Sequence, residues 1–266
     1  MNLSEIILPI IKEASEIMLS AHSPESENAV LSKPGDANFV TLYDKATEDF
    51  LIKKISEKIP SAKFVAEEQE NDYSVLCGEY VFIIDPIDGT TNFIHEFAHS
   101  SISVACVSHG EAVFGAVYNP YLDEMFYAEK GKGAYKNGKP ISVSKREVCE
   151  AVFSFGSSPY YKDGLGKRGF DFAYKLFREC ADIRRLASAA LDLCYIACGR
   201  LDMFFELRLS PWDYAAGMLI VTEAGGKISD MNGEPLKLSE PCSLLASNRE
   251  CYARLLSLAG EEKEQR

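Results

Sequence analysis

Tyr80-Val81-Phe82-Ile83-Ile84-Asp85-Pro86-Ile87-Asp88-Gly89-Thr90-Thr91-Asn92-Phe93 is the stretch that organises this chain. Its first five residues form an unbroken apolar run, which predicts a buried central strand. Asp85-Pro86 ends the run. Proline has no N–H to give a ladder, so pairing should stop there and the chain turn outward. Asp85 and Asp88 then project at the sheet rim with the Ile87 carbonyl between them. Gly89 allows close backbone approach, and Thr90-Thr91 can open a helix whose free N–H groups would face a phosphate. Two carboxylates and a carbonyl make an oxygen-only ligand set, which suits Mg2+ better than zinc. The same residues also spell an ordinary Asp-Pro and Asp-Gly turn, and on this stretch alone the two readings weigh about equally.

More distant acids tip that balance. Upstream, Phe64-Val65-Ala66 is another short apolar strand, and it ends in Glu67-Glu68. Downstream, Pro211-Trp212-Asp213 opens a helix whose Ala215, Ala216 and Gly217 can pack close to a sheet. Taken singly, Asp213 reads as a helix N-terminal charge favoured by the dipole. Taken together, Glu67, Asp85, Asp88 and Asp213 would form a cluster of like charges that could not all stay ionised without cations.

Around these motifs, helical spacing covers 3–21 and 45–58, the second with Asp44 as its N-cap. Three β-rich runs between Ser101 and Ala128 predict an antiparallel meander. Segment 131–140 reads as a hairpin and 156–169 as a polar, Gly-rich loop. Helices near 166–180, 186–198, 211–224 and 248–259 then alternate with strands near 182–184, 202–206, 227–229 and 243–246. Strand runs partly segregated from helix runs predict α+β layers. With no linker or repeat, residues 1–266 read as a single catalytic domain with two lobes, about 1–150 and 151–266.

The 266 residues are 47% apolar and 26% charged, which excludes a disordered or collagenous chain. Against 40 acidic residues stand 28 Lys plus Arg, for a net charge of −12. That balance argues against nucleic acid or an anionic membrane as partner. Eight cysteines without C-x-x-C spacing read as reduced core thiols. The apolar run in residues 1–20 is interrupted by charge and reads as an amphipathic helix, not a signal peptide. With no run of eighteen apolar residues, the expectation is a soluble, cytoplasmic protein.

Glu67-Glu68, Asp85-Pro86-Ile87-Asp88-Gly89-Thr90-Thr91-Asn92-Phe93 and Trp212-Asp213-Tyr214-Ala215-Ala216-Gly217 resemble the signatures of the inositol monophosphatase family. Lys33 with Asp44-Lys45-Ala46-Thr47-Glu48, Gly131 to Tyr135, Leu201 to Glu206 and Thr222 to Gly226 resemble further blocks in the same order. The resemblance implies a layered αβαβα sandwich, of the inositol monophosphatase and fructose-1,6-bisphosphatase type, and Mg2+-dependent hydrolysis of a phosphate monoester. It implies one magnesium on Glu67, Asp85 and the Ile87 carbonyl, a second on Asp85, Asp88 and Asp213, and room for a third near Glu67. Thr90, oriented by Asp44, would help take a proton from the attacking water, and the Gly89 and Thr90 N–H groups would hold the phosphoryl oxygens. Asp88, Ala189 and Glu206 would approach substrate hydroxyls, with Lys33 near the phosphate. Family likeness further implies lithium inhibition, a homodimer, and myo-inositol monophosphate as leading substrate.

Rival readings remain. Lys162, Lys167 and Arg168 in loop 156–169 could grip a second phosphate, as in a fructose-1,6-bisphosphatase or a dual-specificity sugar phosphatase. His95-Glu96-Phe97-Ala98-His99 matches the H-E-x-x-H pattern of zinc peptidases, although Ile102 and Ala105 stand where the longer pattern needs Gly and His. Gly133 to Lys139 nearly matches a phosphate-binding P-loop, but Pro140 replaces the required Ser or Thr. Some relatives are regulatory or RNA-machinery factors, so a non-catalytic binding role is the alternative from a different class. Thr91-Asn92-Phe93 departs from the nucleotide-directed branch, and Ala187 stands where many relatives carry glycine.

Overall fold

The computed structural model describes residues 2–21, 30–32 and 39–264. Within them, strands β1 (Val30–Ser32) and β2 (Phe39–Thr41) form a small antiparallel pair. A seven-stranded sheet follows in strict spatial sequence: β3 (Lys63–Ala66), β4 (Val81–Asp88), β5 (Ser101–Ser108), β6 (Glu111–Asn119), β7 (Glu124–Glu129), β8 (Ala134–Lys136) and β9 (Lys139–Ile141). β3 and β4 are parallel and the rest antiparallel, so 101–128 is the expected meander and 134–141 the expected hairpin. A second sheet has the order β11 (Asp182–Arg184), β10 (Val152–Phe155), β12 (Met203–Leu209), β14 (Cys242–Ser247), β13 (Lys227–Ser229).

Side-chain alternation along the strands decides the layering. On β4, Phe82 and Ile84 face helices α1 (Leu3–Leu19) and α2 (Leu42–Lys58), while Val81 and Ile83 face α5 (Ala189–Ala197) and α6 (Pro211–Glu223). On β12, Phe204 joins that same middle layer, whereas Met203 and Phe205 pack against α4 (Lys167–Phe177) and α7 (Arg249–Glu264). The result is helix, sheet, helix, sheet, helix: the α+β sandwich expected from the sequence. The small residues of α6 allow the middle layer its thickness. A Cβ on Gly115 of β6 would lie 2.7 Å from the Ala216 carbonyl oxygen.

Several local expectations are corrected. Pairing does not end at Pro86: β4 bulges between Asp85 and Asp88 and resumes at the Asp88–Ser101 pair, so proline sits inside the irregularity where no ladder N–H is needed. The N-cap of α2 is Thr41, not Asp44; Asp44 is the third helical residue of a capping box and returns its carboxylate to the Thr41 amide at 2.7 Å. Strand β10 was not anticipated, and loop 156–169 is wound into short turns at Pro159–Tyr161 and Lys162–Gly166 before α4 begins. All eight cysteines are free; Cys106, Cys194 and Cys251 are buried as core thiols, but Cys77 and Cys149 are exposed. No described helix is long and apolar enough to cross a membrane.

Candidate active site

The carboxyl end of β4 opens into a pocket of about 270 Å3 between the two sheets. Its wall includes Glu67, Asp85, Ile87, Asp88, Gly89, Thr90, Ala189, Glu206 and Asp213, which is every described residue that the family resemblance assigned to the phosphatase site except Asp44. Asp44 lies directly behind, wholly buried, where its Oδ1 accepts from the Thr90 hydroxyl at 3.2 Å. Thr90 Oγ1 is also 3.1 Å from the Ile87 carbonyl oxygen. Lys33 lies outside the described residues.

Three separate elements supply the four acids, Asp85 and Asp88 both coming from β4, and each acid is pinned by backbone. Glu67 follows the end of β3, its amide donating to Ile84 O at 3.2 Å. Asp85 accepts from the Ile87 amide at 3.1 Å, which the β4 bulge makes available. Asp88 reaches across to the N-terminus of α5, accepting from Ser188 Oγ and from the Ala190 amide at 2.9 Å. Asp213, third residue of α6, caps that helix by accepting from the Ser210 amide at 2.6 Å. Helix N-termini thus hold two of the acids in place. A left-handed Gly89 (φ 88°) turns the chain between Asp88 and the short helix α3 (Thr90–Ile94). A side chain there would meet the Ala187 and His99 carbonyl oxygens at 3.0 and 3.2 Å.

Crowding acids in a buried space raises their affinity for protons. Burial first, then repulsion from Glu67, Asp88 and Asp213, holds Asp85 well above the usual carboxylate range. Asp213 is raised for the same reasons, and burial pushes Asp88 up to about 6 against the stabilising bonds from Ser188 and α5. Asp44 rises to about 7 because burial outweighs its bonds from Thr41. Among the described residues, no three His, Cys, Asp or Glu side chains form a ready-made metal cage. The acids ring the pocket instead. That oxygen-only set of excess negative charge fits a hard divalent cation that keeps water and substrate oxygens among its ligands.

Further residues of the pocket were not anticipated from sequence. Arg185, Arg208, Tyr160 and Tyr161 form its rim, and the Arg208 guanidinium lies 5.6 Å from the Tyr161 ring centre. Ser158 and Asp192 line its inner wall. Ser188 heading an Ala189-Ala190 helix start was the one sequence signal for the Asp88 anchor, as an N-cap serine.

Two of the competing motifs come apart. His95 to His99 leaves the helix at His95, with Glu96 at φ 55°, so the two histidines are not stacked one turn apart; the His99 ring packs edge-on against Tyr195. Residues 133–139 are the β8–β9 hairpin. In the phosphate-grip candidate loop, Lys167 is paired with Asp171 at 2.5 Å. The unusual Gln69-Glu70-Asn71-Asp72 sequence closes on itself, Asn71 bonding both the amide and the carbonyl of Ala66 at 2.9 and 2.8 Å.

Comparison with known proteins agrees with this architecture. The chain is 39% identical over 216 residues to a protein of Escherichia coli K12 named Nus factor SuhB, covering 81% of this chain and 80% of that one. To an inositol-1-monophosphatase of Mesorhizobium japonicum it is 38% identical over 222 residues, with 81% and 80% covered. The solved structure of an IMPase from Thermotoga maritima superimposes with a TM-score of 0.88 at 32% identity, over 100% of this chain and 99% of that one. The description of one family, the inositol monophosphatases, matches residues 2–264. Since that match takes in both sheets and every acid of the pocket, the chain belongs to the inositol monophosphatase family.

Proposed function

We propose that the protein is a Mg2+-dependent phosphomonoester hydrolase acting on inositol monophosphate or a similar sugar or polyol phosphate. The observation that carries this reading is the Thr90 hydroxyl, 3.2 Å from Asp44 Oδ1 and 3.1 Å from Ile87 O, at the edge of a pocket ringed by Glu67, Asp85, Asp88 and Asp213.

Glu67, Asp85, Asp88, Asp213 and the Ile87 carbonyl would hold two magnesium ions, with a third near Glu67. Bound there, magnesium supplies Lewis-acid activation of water and charge neutralisation at the phosphoryl and leaving oxygens. The chain itself handles the proton. Water attacking phosphorus gives a proton to Thr90 Oγ1, whose own proton moves along the existing hydrogen bond to Asp44 Oδ1. Burial prepares Asp44 for this, since a carboxyl raised to about 7 can accept a proton near neutral pH. The amides of Gly89 and Thr90 face the phosphoryl oxygens, and Asp88, Ala189 and Glu206 face the alcohol.

Phosphate release from myo-inositol 1-phosphate, fructose 1,6-bisphosphate and 3′-phosphoadenosine 5′-phosphate, with and without Mg2+ and Li+, tests the reading. It predicts Mg2+-dependent, Li+-inhibited release with the inositol ester preferred. Comparable bisphosphate turnover would indicate dual specificity. A second reading, a regulatory factor without turnover, rests on the relatives named Nus factor SuhB. Absence of release from all three esters with magnesium present would favour it. Homodimer formation and a cytoplasmic location belong to the same proposal; sedimentation of the purified protein at twice the 29.5 kDa chain mass would support the dimer.

A further inference from the structure

The pocket has a second acidic surface, on the wall away from β4. Asp192 stands in the first turn of α5, lines the pocket and is 1% exposed. Its Oδ1 has no hydrogen-bond partner. A buried carboxylate oxygen left without a donor is costly, and such atoms are rare in folded proteins unless water or a ligand completes them. Ser154 stands beside Asp192, and Arg185 draws on it from the rim. Neither makes a well-formed hydrogen bond to Oδ1, and the Ser154 hydroxyl is itself without a partner among the described residues.

Across the same wall, Glu206 is held by the Ser158 amide at 3.3 Å and occupies the space that the missing side chain of Gly156 leaves open. Asp88 completes the group, already saturated on Oδ2 by α5. Burial raises the proton affinity of Asp192 and Glu206 alike. Two buried acids facing one cavity, one with an unfilled acceptor position, call for a neutral donor that arrives with the ligand. An alcohol hydroxyl meets that need, because it donates to one oxygen and accepts from another group without adding charge. An apolar leaving group would leave Oδ1 unmet.

We propose that Asp192 is a specificity-determining residue: its Oδ1 accepts a hydrogen bond from a hydroxyl of the substrate's polyol, on the wall it shares with Glu206. The proposal rests on the phosphomonoesterase reading above and adds the group that recognises the alcohol. Sites built to bond a hydroxyl discriminate strongly against analogues that lack it.

The test compares myo-inositol 1-phosphate with p-nitrophenyl phosphate, which offers no hydroxyl. Asp192→Ala should raise KM for the inositol ester about 10- to 50-fold and change kcat/KM for the aryl ester less than threefold. Asp192→Asn, which keeps an oxygen acceptor in place, should recover most of the loss. Equal losses on both esters mean a merely structural role and overturn the proposal, as does an unchanged KM for the inositol ester. If Asp192→Ala does not fold, monodeoxy inositol phosphates on the wild-type protein give the same readout. One of them must show the KM rise; if none does, the proposal fails. If neither ester is turned over, the phosphatase reading has failed separately. Calorimetric affinities then decide: Asp192→Ala must weaken myo-inositol 1-phosphate at least tenfold and leave inorganic phosphate unchanged, and any other result overturns the assignment.

Discussion

Glu206 fills the place of a side chain that residue 156 does not have: a Cβ built on Gly156 would lie 1.8 Å from Glu206 Oε2. The glycine at the end of β10 and the acid on β12 are therefore one unit, joined across adjacent strands by the Gly156 amide donating to Phe205 O at 2.9 Å. Any larger residue at 156 must push the carboxylate into the pocket or out of it.

Gly156→Ala tests that coupling. Displacing Glu206 should raise KM for a polyol monophosphate by at least tenfold, with a smaller effect on kcat. Thermal unfolding should show about 1–3 kcal/mol of destabilisation from overpacking. Unaltered KM with lowered stability would show that Glu206 does not serve the substrate.

Glu206 also predicts a pH dependence. Burial raises it from 4.5 to about 7, opposed by Arg185 and the Ser158 amide. A carboxyl raised on folding contributes stability that is full below its unfolded value near 4.5 and is lost as pH climbs through 7. Metal-free protein should therefore lose stability between about pH 4.5 and 7, with roughly 3 kcal/mol as the upper bound from this group. Glu206→Gln should flatten the Tm profile across that window. An identical slope in the variant would contradict the assignment.

Removing one acid from the ring should separate stability from catalysis. Without metal, Asp85→Asn relieves repulsion among buried carboxylates and should raise stability by about 1–3 kcal/mol. With magnesium the order reverses, because the wild type gains the cation's binding free energy and the variant loses most of it. Asp213→Asn should behave likewise and cost at least a hundredfold in phosphate release. Thermal shifts with and without excess EDTA read both effects. Equal magnesium-induced shifts in wild type and variants would remove these acids from the ligand set.

Ala187 holds a left-handed backbone, φ 66°, at the pocket wall. Alanine is strained there and glycine is not, although glycine orders a looser chain. Ala187→Gly should be neutral or stabilising by up to about 1 kcal/mol, measured by urea denaturation. A loss above 1 kcal/mol would mean that the methyl group packs usefully.

The sequence by itself determined the elements and the chemical type of the site. An unbroken apolar run before Asp85, the meander turns at His109-Gly110 and the small residues of Ala215-Ala216-Gly217 are local signals, each with a local physical cause. Oxygen-only acids placed at strand and helix ends are equally legible, because residue type and position in the element suffice. The bulge at Pro86 and strand β10 were not, since each depends on a distant neighbour, the Asp88–Ser101 pairing and the parallel partner β12; the Thr41-x-x-Asp44 capping box is by contrast a local signal that the sequence does carry.

Tertiary structure alone decided which acids meet. Asp88 and Ser188 are 100 residues apart, and Gly131 and Glu223 are 92 apart, yet both pairs are hydrogen-bonded. Nothing in the local pattern distinguishes Asp192 from an ordinary helix first-turn acid. Its burial against the pocket, with one oxygen unmet, exists only because the middle helix layer presses α5 between two sheets. Periodicity fixes which face of an element is buried, but the identity of the atoms across that face is set by packing of distant segments.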